Sequence, residues 1–158
     1  MNGAWFSALG EALGEDERSE IAAYLEGLGM DAAMPVRQAL DWKEASEICR
    51  KPSEEWWRAE EDERCRLERG ARVDPADPEW LALTEVLHGA AAVAAARGGC
   101  ADAALIRVAA GAASYAAYQA RLARAAGAAS RHPFLRKYAL YCGGRWPLGV
   151  YDHSFAIF

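Results

Sequence analysis

The sequence predicts a mainly α-helical bundle of about seven helices that finishes in a short extended or β-hairpin segment. Three observations carry this. Apolar residues recur at three- and four-residue spacing along most of the chain. Alanine, the best helix former, is concentrated in the second half. The last stretch, RWPLGVYDHSFAIF, switches to β-favouring Val150, Tyr151, Phe155, Ile157 and Phe158. A chain of 158 residues is expected to form one domain, residues 1–158, with 146–158 as an extended tail packed on the bundle.

Each element has a local reason. Trp5, Phe6, Leu9 and Leu13 share a helical face and predict a first helix over Gly3 to Leu13, stopped by Gly14. A second helix is expected from about Glu15 to Leu28. It carries Ile21, Leu25 and Leu28 as its apolar stripe, with Tyr24 beside them, and an acidic first turn that suits the helix dipole. Pro35 is placed to open a third helix running through Leu40, Trp42, Ala45 and Ile48 to about Arg50. Ser53 is an N-cap for a fourth helix that ends near Gly70.

Asp77 with Pro78 starts a fifth helix, whose face holds Trp80, Leu83, Leu87, Ala91 and Ala94 and which ends at Gly98-Gly99. Asp102 caps a long sixth helix reaching about Ala126. Its small residues Ala109, Ala112, Ala113 and Ala116 let neighbours approach closely and mark it as the central helix. A seventh begins at Arg131-His132-Pro133, runs through Leu135, Tyr138 and Tyr141, and stops at Gly143-Gly144. Asp152-His153 is the expected turn of a terminal hairpin, and a chain ending in FAIF is expected to bury that end.

Charge is unevenly spread. The net charge is −5, but residues 1–100 hold 11 Lys+Arg against 21 Asp+Glu, and residues 101–158 hold 7 against 2. Either the two parts attract one another inside the fold, or each offers a face of opposite sign to a partner. The overall acidity argues against a dedicated nucleic-acid binder. The acidic N-terminal stretch lacks a secretory signal, and the apolar run from Val108 to Tyr118 is too short and alanine-rich to span a membrane. Cys49, Cys65, Cys100 and Cys142 are widely spaced, which reads as reduced thiols of a cytoplasmic protein.

The chemically richest stretch is EEWWRAEEDERCRL, residues 54–67. On a helical wheel, Glu60 and Glu63 fall within about 40° of Trp56, on the same face as Leu67. Glu61 and Asp62 lie elsewhere, within reach of arginines at helical spacing. Two carboxylates three apart on an apolar face are a pattern that metal sites in helical bundles use. Glu85-Val86-Leu87-His88 adds one Glu-x-x-His of the kind found in carboxylate-bridged di-metal bundles, although that architecture uses two. The stretch is also loosely similar to the Glu-rich helices of all-α nucleotide pyrophosphohydrolases, where acids hold magnesium against a triphosphate. The downstream Glu-x-x-Asp that would complete that arrangement is absent. The bland alternative buries Trp56 and Leu67 and leaves Glu60 and Glu63 at the rim or paired with arginines of another helix.

Two functional expectations follow. The first is a non-enzymatic protein-binding domain of immunity, antitoxin or adaptor type, without a cofactor. It would dock its partner on Glu54, Glu55, Glu61 and Asp62 or on Arg131, Arg136, Lys137 and Arg145. The second is a small metal-dependent hydrolase of a nucleotide or phosphate ester. There Glu60, Glu63, Glu85 and His88 would hold a divalent cation, with Arg136 or Lys137 steering the phosphate. Cys142, followed by two glycines and near His132, Asp152 and His153 in sequence, is a weaker nucleophile candidate. A small buried cysteine at a helix end is the commoner case.

Overall fold

A computed structural model describes residues 3–158. It contains six α-helices, close to the expected number of about seven, and the expected C-terminal hairpin, which a third short strand extends to a three-stranded sheet. In chain order these are α1 (Glu15–Gly27), β1 (Val36–Gln38), α2 (Trp42–Ile48), α3 (Glu54–Glu68), α4 (Pro78–Arg97), α5 (Ala103–Ala125), α6 (Pro133–Cys142), β2 (Pro147–Tyr151) and β3 (Ser154–Ile157). The helix starts follow the capping residues seen in the sequence. Ser53 Oγ accepts from Trp56 N, Asp77 Oδ1 from Glu79 N, and Asp102 Oδ1 from Ala104 N and Leu105 N.

α5 is the central helix. Ala109, Ala110, Ala113, Ala116, Ala117 and Ala120 are all buried along it, and it packs against both α4 and α6. With no side chain beyond Cβ, these alanines allow that close approach. α1 packs against α6, and α3 lies against α5. Among the described residues no helix is long and apolar enough to cross a membrane.

The C-terminal hairpin forms as expected. Tyr151 pairs with Ser154 across the two-residue turn Asp152-His153, whose φ values of 47° and 60° place both residues in the left-handed region. That is the geometry of the turn type whose twist matches a β-ribbon. The end of the chain is buried: Phe158 packs edge-on to Trp42 with ring centroids 5.6 Å apart.

Two expected helices are corrected. Residues 3–13 form a chain of turns, not a helix. The guanidinium of Arg145 takes the carbonyls of Ala8 (2.6 Å), Glu11 (2.5 Å) and Ala12 (3.0 Å), and Phe6 sits at φ 57°. These bonds satisfy the backbone while Trp5 and Phe6 are buried, so no helical ladder is needed there. The expected helix from Pro35 is shortened to α2. Its first residues instead form β1, which pairs in parallel with β3, Val36 opposite Phe155 and Gln38 opposite Ile157. Trp42, Ala45 and Ile48 keep the predicted inward face.

Candidate functional site

The side of α3 that carries Trp56, Glu60 and Leu67 turns inward, and Glu60 is only 7% exposed. Its Oε1 accepts two short hydrogen bonds, from Tyr24 Oη of α1 at 2.5 Å and from Lys137 Nζ of α6 at 2.5 Å. Trp56 Nε1 donates to the same Tyr24 oxygen at 2.7 Å. A chain of hydrogen bonds thus joins Trp56, Tyr24, Glu60 and Lys137 across three helices. Lys137 is 6% exposed, and its ammonium lies 6.0 Å from the centre of the Tyr115 ring.

This ion pair sits against an open pocket of about 300 Å³. The walls come from α3, α5, α6 and the β2 strand: Trp56, Trp57, Tyr115, Tyr141, Tyr151 and Ala112. Ser53 N donates to Val150 O at 2.8 Å, so the start of α3 is tied to the strand that forms the opposite wall. Gly149 allows the close approach between them. It has φ +114°, and a Cβ there would stand 2.7 Å from the Trp56 ring.

Burial and neighbouring charge set the protonation states around the pocket. Tyr24 and Tyr141 are pushed well above the ordinary phenol value, first by burial and then by the Glu60 charge. Tyr115 is pushed up to about 12 by burial and by the Glu61 charge. Cys49, also at the pocket, is raised by burial to about 11 and is a protonated thiol at neutral pH.

Most of the expected basic docking residues are engaged by acids of the same molecule. Arg136 donates to Glu20 (2.9 Å), Lys137 to Glu60, and Arg145, 3% exposed, to Glu17 (2.5 Å). Arg121 pairs with Asp77, and His132 Nε2 with Glu63 at 2.6 Å. The charge asymmetry of the sequence is therefore answered in large part inside the molecule. Arg131 alone of the expected basic set is exposed. Glu54, Glu55 and Asp62 are exposed on α3, and Glu61 is held by Arg64.

The expected cation site is not assembled either. Glu60 is engaged by Lys137 and Tyr24, and Glu63 by Arg66 and His132, while Glu85 and His88 are exposed on α4. His88 Nδ1 lies 2.9 Å from its own helix's Thr84 O. Among the described residues no group of three or more His, Cys, Asp or Glu side chains is placed to hold a metal ion. Cys142 is hydrogen-bonded to Tyr138, and burial raises its pKa. His132 is committed to Glu63 and to capping α6, and His153 is exposed in the hairpin turn, so neither supplies Cys142 with a base.

No protein family, no curated protein and no solved structure matches the chain. Its own chemistry is the guide. Sequence reasoning found Glu60 but gave it the wrong companion, and it placed Lys137 on the surface. A signal for Lys137 was present: on the α6 wheel it falls between Leu140 and Tyr141, next to Phe134, and a lysine inside an apolar face needs a buried partner.

Proposed function

We propose that the protein is a small-molecule-binding domain whose ligand enters the aromatic pocket and is anchored on Glu60 and Lys137. One observation carries this: a buried ion pair lies at an open pocket with hydrogen-bonding capacity left over. A buried ion pair is a poor stabiliser, because the cost of stripping water from two charges offsets their attraction. Apolar side chains of similar volume would fill that space at least as favourably. Binding pockets, by contrast, combine apolar and aromatic walls with a few convergent polar groups, and start at about 300 Å³.

Tryptophan fluorescence offers a direct test, since Trp56, Trp57 and Trp146 line the pocket. A set of flat, one- and two-ring fragments is titrated into the wild type and into Ala112→Phe. Ala112 is half-buried at the pocket wall, so the added ring has the cavity to enter and the fold is retained. Saturable quenching in the wild type that is lost in the folded variant supports the proposal. Quenching that is identical in both places the ligand elsewhere.

A second reading, a protein-docking role for the start of α3, is supported by Trp57. It is 56% exposed beside the exposed Glu54 and the partly exposed Glu61. An exposed tryptophan on an acidic helix is the residue type that anchors protein interfaces. Reversal of Glu54 and Glu61 to lysine would abolish binding of a basic partner on that face, whereas the same change leaves Glu60 and Lys137 in place.

A further inference from the structure

We infer that the ligand is a neutral, planar heterocycle that presents a cis-amide edge, a ring carbonyl beside a ring N–H, to Lys137 and Glu60. This rests on the small-molecule function proposed above and goes on to name the ligand's chemistry. Glu60 Oε1 is already used twice, by Tyr24 and Lys137. Glu60 Oε2 accepts no hydrogen bond among the described residues, nor is it among their sealed, unpartnered buried atoms. It is an open acceptor. Lys137 spends one N–H on Glu60 and has two more to offer. The pocket therefore offers one acceptor and one donor side by side.

Charge narrows the choice. The two ions cancel, and Glu61, also at the pocket, is answered by Arg64, so a charged ligand would meet one of the two buried ions unfavourably. A carboxylate drawn to Lys137 would face Glu60, and a cation drawn to Glu60 would face Lys137. A neutral group carrying both a donor and an acceptor satisfies both ions at once. An amide edge has those two groups at adjacent ring positions and lies in the plane of its ring. A flat ring also suits the lining, because Trp56 and Trp57 of α3 and Tyr115 of α5 are all at the pocket and flat rings gain from contact with aromatic side chains. The volume, about 300 Å³, suits one or two fused rings.

Three probes of nearly equal shape separate this inference from the function beneath it. 2-Quinolone carries the edge, 1-methyl-2-quinolone lacks the N–H, and naphthalene lacks both polar groups. Each is titrated into the wild-type protein and into Ala112→Phe, with binding read by fluorescence and calorimetry. The expected result is that 2-quinolone binds at least about tenfold more tightly than either of the others, because only it fills both open hydrogen-bonding positions. Its binding should be lost in the variant. Equal affinities for all three would overturn the amide-edge inference and leave the pocket function standing. Binding of none of the three by folded protein would overturn both.

Discussion

Replacing Lys137 by methionine removes one member of the buried pair and strands the other. Glu60 and Lys137 have side-chain exposures of 9% and 7%, so solvent screens neither well. Removing one partner of such a pair costs about 3–5 kcal/mol. Glu60 lines a pocket that water can enter, and Tyr24 still donates to Oε1, so the lower end applies. The expected loss is about 3 kcal/mol, which for a domain of this size lowers the melting temperature by roughly 6–12 °C. Glu60→Gln in the same chain removes the stranded charge and keeps an oxygen to accept from Tyr24. The double variant Glu60→Gln/Lys137→Met should then recover to within about 1 kcal/mol of the wild type. Urea and thermal unfolding of the wild type, the two single variants and the double variant measure the coupling. A Lys137→Met variant as stable as the wild type, or a double variant no better than the worse single one, would show that these ions are not coupled in a buried site.

Three further expectations follow from the same geometry. Gly149→Ala puts a side chain at φ +114° and drives its Cβ into the Trp56 ring, so it should destabilise the fold by more than about 1 kcal/mol and weaken ligand binding, as unfolding and titration would show. Burial alone would raise the Glu17 carboxyl, but hydrogen bonds from Arg145 and the Gly14 amide, with the Arg145 charge, hold it below the ordinary range. Its stabilising contribution is present above the unfolded value of about 4.3 and is lost as pH falls through the lower folded value, so unfolding free energy should decline with acidification below about pH 4.5. Exposed Cys65 should be labelled by a thiol reagent at pH 8 well before Cys49, whose thiol burial raises to about 11. Mass mapping of the labelled peptides checks that order.

The helical part of the fold was legible because its signals are local. Ser53, Asp77 and Asp102 announce helix starts, Gly98-Gly99 announces an end, and the alanines of α5 announce a crowded centre. The two misread segments depend on partners far along the chain. β1 is three residues, Val-Arg-Gln, and is made a strand by β3 more than a hundred positions later. Residues 3–13 carry a helical apolar pattern, but Arg145 claims their carbonyls from the other end of the sequence. The site divides in the same way. The inward placement of Trp56 and Glu60 follows from helical periodicity on α3 alone. That Glu60 meets a lysine of α6 and a tyrosine of α1, and not carboxylates for a metal, is set by how three helices pack, which spacing within any one of them does not encode.

The most direct test of the ligand pocket is a pair of proton–nitrogen correlation spectra, with and without 2-quinolone, assigned at the indole N–H of Trp56 and Trp57 and at the Gly149 amide. Binding against Glu60 and Lys137 predicts saturable shifts at these three groups, absent in Ala112→Phe. Saturable shifts confined to other parts of the chain, or none at all, would contradict the assignment of this pocket as the ligand site.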